Sequence, residues 1–260
     1  MTPQVSTVVP TRWLSRRAFA ALVFAALVQA VLIVLAALNP WPTCPVFKLL
    51  TTVNLPSMLA GSSVALALML APVLAASPEI STLHIPARKE SRQVGARALF
   101  TGCWLAATSL FFLLVASRLT PVESEHLLQA ALVLAATATL AAAFAAFFPQ
   151  AYTGLVFFWA LALPFLAYLL TEMFLGMPQG ALGWGRGTAP ETLRLKSCVH
   201  ALLEFSPGTA MVGLVQGHLP GGGEMGWNAA LKFVAFCGLL SGMAVWVRRR
   251  WPAVTVSSSK

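Results

Sequence analysis

The sequence predicts an all-helical integral membrane protein that crosses a bilayer six times. Of its 260 residues, 58% are hydrophobic and 10% are charged, whereas soluble domains carry about 25% charged residues. The apolar residues form runs of about 20, the length that a helix needs to cross the hydrocarbon core. The basic residues, which give a net charge of +9, cluster beside these runs. This clustering is typical of membrane orientation signals rather than of a nucleic-acid surface.

The first predicted span covers residues 18–38 and follows three arginines, Arg12, Arg16 and Arg17. An arginine pair before an apolar stretch also resembles a twin-arginine export signal. However, the stretch is long enough to span, no convincing cleavage site follows it, and further spans come later. We therefore interpret the arginines as a cytoplasmic anchor and the stretch as a membrane helix.

Five further spans are predicted by the same length argument. They cover residues 53–76, 98–117, 126–148, 152–175 and 227–247. Prolines within the second and fifth spans are tolerated where neighbouring helices satisfy the freed backbone groups. The fourth span is rich in alanine, which favours close helix packing. Neither an internal repeat nor a separate soluble domain is visible, so residues 1–260 are predicted to form a single transmembrane domain.

The basic residues are distributed unevenly over the predicted loops. With the N-terminus inside, the cytoplasmic segments hold eleven of the 17 Lys and Arg residues and the outer segments hold six. The positive-inside rule therefore predicts that both termini are cytoplasmic. We expect the protein to lie in the plasma membrane.

The long segment between the fifth and sixth spans contains two short apolar stretches, residues 192–205 and 209–219. Each has helical periodicity but is too short to cross a bilayer. We predict that they form a re-entrant hairpin in the outer leaflet, residues 192–219, whereas the alternative is an amphipathic loop on the membrane surface. The hairpin residues of interest are His200, Glu204, Ser206 and Pro207.

Catalytic motifs are not recognisable, and the chain contains eight Glu but no Asp. Cys198, His200 and Glu204 are close in sequence, so a metal site is an alternative, but their spacing is not diagnostic. We favour polar residues on the wet face of the hairpin and predict no metal, cofactor or catalytic residue on this chain. A disulfide between Cys44 and Cys198 stays open, because both fall in predicted outer loops.

Glu172 lies near the outer end of the fifth predicted span. An ionisable residue inside a membrane suggests a functional role, so Glu172 is a candidate for a substrate path. The alternative is that its carboxylate reaches the membrane interface.

The cytoplasmic segment between the second and third spans is the most informative. It holds apolar residues that have no membrane to enter, next to a basic rim. A short helix with a few apolar anchors and a basic rim is typical of a docking element for a soluble partner. The alternative is an ordinary positively charged loop. The residues that define the segment are Glu79, Thr82, Leu83, Pro86, Arg88 and Lys89.

This segment resembles the permeases of the type-two ABC exporter family. In that family a Glu after the second span is followed by a small pair, a Leu-rich stretch, a Pro, a basic residue, and a Lys or Arg that opens the third span. The matching residues here are Glu79, Thr82, Leu83, Pro86, Arg88 and Arg97. The stretch between Thr82 and Pro86 is shorter than in the family. The six-span order, a short apolar helix after Ser206-Pro207 and the basic tail are also similar.

The resemblance implies a permease subunit of an ATP-driven exporter. It would move an amphipathic or hydrophobic substrate, such as a drug, an antimicrobial peptide or a lipid, out of the cytoplasm or inner leaflet. Two such chains, identical or different, would pair and bind cytoplasmic ATP-binding subunits, which carry ATP and Mg. The segment from Glu79 to Lys89 would be the coupling helix, and the hairpin would cap the outer side of the path. A membrane anchor or assembly subunit of a larger complex, and an intramembrane metal enzyme, are the alternatives.

Overall fold

The computed structural model describes residues 16–38, 54–75, 87–120, 122–170, 198–199, 201–218 and 224–250. Within these ranges the secondary structure is helical, apart from an isolated bridge between His218 and Glu224. Six of the described helices are long and apolar enough to cross a membrane. The architecture is that of a multi-pass membrane protein, which confirms the predicted helical class and the number of long apolar helices.

The helices follow the predicted order along the chain. The first four are α1 (Arg16–Leu38), α2 (Leu55–Ala75), α3 (Ala87–Ala116) and α4 (Ser124–Phe147). The fifth helical stretch comprises α5 (Pro149–Val156), a π-helical segment (Phe157–Ala162) and α6 (Leu163–Leu170). The short helix α7 (Pro207–Gln216) precedes the last long helix, α8 (Trp227–Arg250).

The alanine-rich helix α4 lies at the centre of the bundle and contacts α2, α3, α5, α7 and α8. Half of its buried side chains are alanines, so its neighbours can approach its backbone closely. A close approach occurs at Gly102 of α3, where a Cβ atom would lie 2.6 Å from the carbonyl oxygen of Ala135. Only glycine fits this crossing without displacement of one of the two helices.

Helix α1 packs on α2 and α3 through one side. Its buried residues include Ala21, Ala25 and Ala36, which allow close packing. The opposite side carries large apolar side chains that are exposed, and these are Phe19, Val23, Phe24, Leu27, Val31 and Val34. An apolar face of this kind is suited to contact with lipid tails.

Helices α3 and α8 extend beyond their predicted spans into polar sequence. Helix α3 begins at Ala87, although the third span was predicted from residue 98, and α8 continues to Arg250, beyond the predicted end at 247. The additional residues are mostly Arg, Lys, Gln and Glu, which have high helix propensity. A helix can therefore continue into water where its apolar part ends. Hydropathy identifies only the part of a helix that suits the membrane.

The fifth helical stretch accommodates Pro164 by a change in helical pitch. Pro164 has no N–H to offer the carbonyl group of Ala160. The preceding residues form the π-helical segment, in which the N–H of Leu163 donates to the carbonyl oxygen of Phe158, five residues earlier. This wider turn keeps the stretch helical through its centre, where π-turns often accompany functional sites.

Candidate functional site

The structure describes part of the predicted site. The residues Glu79, Thr82, Leu83, Pro86, Glu172 and His200 lie outside the described ranges. Arg88 and Lys89 are in the first turn of α3, so they belong to a helix that continues into the third span rather than to a separate short helix. Glu204, Ser206 and Pro207 lie together at the turn before α7.

The break between the two short apolar stretches is only one residue long. Residues 201–205 are helical, Ser206 is extended with φ −85° and ψ 125°, and α7 begins at Pro207. The two predicted stretches, 192–205 and 209–219, leave residues 206–208 as the break. This prediction is wrong for Pro207 and Gly208, which form the first turn of α7. Proline is favoured at the first helical position, because its fixed φ suits the helix and its missing N–H is not needed there.

Helix α7 packs against α2 and α4. Its inward side is buried and consists of Pro207, Ala210, Met211, Gly213, Leu214 and Val215. Its ten residues give a length of about 15 Å, half of the roughly 30 Å hydrocarbon core. A helix of this length is too short to cross a bilayer.

The N-terminal end of α7 lies beside the middle of two long helices. The indole N–H of Trp159, in the π-helical segment, donates to the carbonyl oxygen of Phe205 at 2.7 Å. Trp159 also stacks on Phe233 of α8, with ring centroids 6.0 Å apart, and Phe205 contacts Phe236 at 5.0 Å. These α8 residues lie about 9 to 14 Å along the helix from its start. The turn at Ser206 is therefore well below the end of the bundle.

The C-terminal end of α7 lies where α2 and α4 begin. The side-chain amide of Gln216 donates to the hydroxyl of Ser57 at 3.0 Å. Gly217 ends α7 with a positive φ of 77°, and a Cβ atom there would lie 3.5 Å from Nε2 of His126. The imidazole of His126 is also 3.5 Å from the carboxylate of Glu123. The helix thus runs from mid-depth to one end of the bundle.

An ion pair joins the turn to α8. The ammonium of Lys232 is 3.9 Å from the carboxylate of Glu204, and their side chains are 53% and 23% exposed. Lys232 lies inside the apolar stretch Trp227–Val247, close to its start. A lysine near a helix end usually extends toward the membrane surface. Here the ammonium of Lys232 lies beside Glu204, two positions before Ser206, instead.

The turn itself contains a buried hydroxyl without a partner. Ser206 is fully buried, and its Oγ has no hydrogen-bond partner among the described residues. The hydroxyl of Thr209 closes the turn by donating to the carbonyl oxygen of Leu203 at 2.6 Å. Beside it, a Cβ atom on Gly208 would meet no other atom within 4 Å. One flank of the first turn of α7 is therefore open.

A second polar cluster joins the apolar parts of α1, α2 and α3. The amide nitrogen of Gln29 donates to the hydroxyls of Ser63 at 2.9 Å and Ser109 at 3.1 Å. Ser63 in turn donates to the carbonyl oxygen of Leu59 at 2.6 Å. Gln29, Ser63 and Ser109 are 1%, 2% and 3% exposed, so the cluster is sealed. The remaining amide oxygen of Gln29 has no partner among the described residues.

The turn at Ser206 and the Gln29 cluster consist of hydrogen-bonding and charged side chains, which can bind a ligand or join helices. Among the described residues, no three His, Cys, Asp or Glu side chains lie close enough together to hold a metal ion. Cys198 is exposed, but His200 and Cys44 lie outside the described ranges, so the metal alternative and the disulfide stay predictions. The groups at the turn that could bind a ligand are the ammonium of Lys232, the carboxylate of Glu204, the hydroxyl of Ser206 and the N-terminus of α7.

The Gln29 cluster and the role of Lys232 were not predicted. The signal for the cluster was present, because Gln29 and Ser109 are polar residues in the middle of apolar spans, where such residues are costly and usually have a function. Hydropathy averages over a whole span and therefore conceals a single polar side chain. Comparisons of the chain with protein-family models, curated protein sequences and solved structures find no match.

Proposed function

We propose that this chain is the membrane-spanning subunit of an ATP-driven exporter of the type-two ABC class. It pairs with a second permease chain, binds cytoplasmic ATP-binding subunits through the segment before α3, and moves an amphipathic or hydrophobic substrate outward across the plasma membrane. ATP hydrolysis takes place on the partner subunits. Both termini are cytoplasmic in this proposal.

The observation that carries the proposal is the half-length helix α7. It is packed on α2 and α4, its first turn is level with Trp159, and its last residues meet the beginnings of α2 and α4. This is the arrangement expected of a re-entrant hairpin that closes one end of a transport path. Helices that end at mid-depth are tolerated only where protein or a water-filled cavity surrounds the irregular backbone, and in transporters they commonly form binding sites.

The length of α3 supports a cytoplasmic partner. The helix begins at Ala87, and its apolar part begins at Ala98. The intervening residues include Arg88 and Lys89 and extend about 16 Å beyond the apolar part. A rigid, basic helical projection gives a soluble subunit a surface to bind.

The outward face of α8 supports pairing with a second chain. Gly238 and Gly242 are exposed there, and a Cβ atom on either would meet no other atom within 4 Å. Two glycines four residues apart allow membrane helices to approach each other closely. We expect Gly238→Leu with Gly242→Leu to reduce the paired fraction of the solubilised protein, whereas Gly154→Leu, on the exposed part of α5, leaves it unchanged.

Co-purification tests the proposal. The tagged chain is solubilised from its native membrane, and the proteins bound to it are identified by mass spectrometry and assayed for ATP hydrolysis. We expect an ATP-binding subunit to accompany the chain. Reversing the charges of Arg88 and Lys89 to Glu should lower both the bound subunit and its ATPase activity several-fold. Reversal of Arg118, just beyond the other end of α3, is the matched control.

Two results would contradict the proposal. One is that the intact chain purifies without any ATP-binding protein. The other is that the Arg88 and Arg118 variants retain the same amount of bound subunit. A stable complex with proteins that do not bind ATP would favour the alternative function, an anchor or assembly subunit.

A further inference from the structure

We propose that the turn at Ser206, together with Lys232, binds the anionic head group of a membrane amphiphile. The inference rests on the proposed function for its biological use, since it names an anionic amphiphile as the class of cargo. The binding itself requires neither ATP nor a partner subunit. It can therefore fail or succeed independently of the co-purification test.

The ion pair between Lys232 and Glu204 supplies the charge. Ionisable residues within an apolar span are costly unless their charges are compensated, and they commonly mark substrate paths. The two side chains are 3.9 Å apart and remain partly exposed, so the carboxylate compensates the ammonium incompletely. An anionic oxygen beside Lys232 would complete that compensation and would compete with Glu204 for the ammonium.

The first turn of α7 supplies hydrogen-bond donors. The first N–H groups of a helix have no partners within the helix, and the helix dipole places a partial positive charge there. Phosphate and carboxylate groups bind at such ends. The hydroxyl of Ser206, buried at this end and without a partner among the described residues, is an independent observation that points to a polar ligand at the turn.

The surroundings favour an amphiphile over a free anion. The open flank at Gly208 provides room beside the helix end. The aromatic rings of Phe205 and Phe236, which are partly exposed, lie next to the turn, and they offer an apolar surface for a hydrocarbon chain. A free anion has no apolar part and gains nothing from these rings. An amphiphile gains from burying its acyl chain against them in addition to the contacts of its head group.

The test is a binding measurement on the whole purified chain in uncharged detergent. Lysophosphatidylglycerol, which is anionic, is compared with lysophosphatidylcholine of the same chain length and with inorganic phosphate. The readout is the thermal unfolding midpoint as a function of ligand concentration. We expect lysophosphatidylglycerol to raise the midpoint at concentrations at least tenfold lower than lysophosphatidylcholine. Inorganic phosphate should leave it unchanged.

Opposite effects of the two charged residues distinguish a binding site from a structural ion pair. Lys232→Gln should weaken the apparent affinity for lysophosphatidylglycerol at least tenfold, and Lys232→Arg should retain it. Glu204→Gln should tighten it several-fold, because the competing carboxylate is gone. Gly208→Leu should weaken it by filling the open flank. Arg118→Gln, which removes an exposed cation elsewhere, is the control.

Three results would overturn the inference. The first is equal protection by the anionic and the zwitterionic lipid. The second is protection by inorganic phosphate alone, which would show that the acyl chain is not recognised. The third is a shift in the same direction for Lys232→Gln and Glu204→Gln, which is the behaviour of a structural ion pair. If Glu204→Gln does not fold, Lys232→Arg and Gly208→Leu still test the charge and the flank separately.

Discussion

Two groups of polar side chains lie within the helical bundle, and they differ in charge and in exposure. The group formed by Gln29, Ser63 and Ser109 is neutral and at most 3% exposed. The group at the turn before α7 contains Glu204 and Lys232, which are charged and 23% and 53% exposed. The first is completed almost entirely by its own members. The second contains a buried hydroxyl without a partner among the described residues, beside two partly exposed charges.

The difference indicates different roles. Hydrogen bonds between membrane helices contribute about 0.6 kcal/mol on average, and at most about 1.7 kcal/mol. Such bonds suit the fixing of α1 against α2 and α3. Charged residues inside an apolar stretch commonly mark substrate paths. A charged pair that remains partly exposed is therefore better explained by binding than by packing.

The largest expected effect comes from placing a charge in the sealed group. Gln29→Lys should lower the free energy of unfolding by about 3 kcal/mol, because the ammonium would have no path to water or to an anion. Gln29→Met keeps a similar shape and should cost less than about 1.5 kcal/mol. Unfolding by denaturant in mixed micelles measures both. Equal stability of the two variants would show that the cluster is not sealed.

An intermediate effect separates the two serines. Ser63→Ala should cost about 1 kcal/mol, because it removes the hydrogen bond from Gln29 and leaves an amide N–H unpaired. Ser206→Ala should stay within about 0.5 kcal/mol of the wild type or stabilise the chain, because its hydroxyl has no partner among the described residues. The same unfolding measurement compares them. If Ser206→Ala lowers the free energy of unfolding more than Ser63→Ala does, the turn and not the Gln29 cluster is the structural group.

The smallest expected effect concerns the anchor of the turn. Trp159→Phe removes the hydrogen bond to Phe205 but keeps a ring against Phe233. We expect a loss of about 0.5 to 1 kcal/mol in the free energy of unfolding. Trp104→Phe, on the exposed side of α3, is the matched control and should be silent. If both variants behave alike, the indole bond does not hold the turn in place.

The parts of the fold that depend on local sequence were predictable. A run of about 20 apolar residues has few alternatives to a membrane helix, so six long apolar helices were expected from composition and length. The start of α3 at Ala87 was not, because its polar N-terminal part has high helix propensity but no hydropathy signal. The position of the break before α7 was missed for a related reason, since Pro207 can begin a helix as readily as it can end one.

The candidate site was predictable only in part. Glu204, Ser206 and Pro207 were placed in the hairpin by their position between two short apolar stretches. The pairing of Glu204 with Lys232, which is 28 residues further along the chain, depends on how the turn packs on α8. The convergence of Gln29, Ser63 and Ser109 depends on the rotation of three helices about their axes. Tertiary packing determines both arrangements, and no local pattern records them.

The unbroken length of α3 has a mechanical consequence. Its thirty residues form a rod of about 45 Å, and Gly102 fixes it against α4 at a crossing that allows no extra atom. That crossing is the point about which α3 would tilt. About 22 Å of the rod lies between Gly102 and Ala87, so a tilt of about ten degrees would displace the basic end by about 4 Å. A small rotation at the crossing is thereby amplified at the end of the helix.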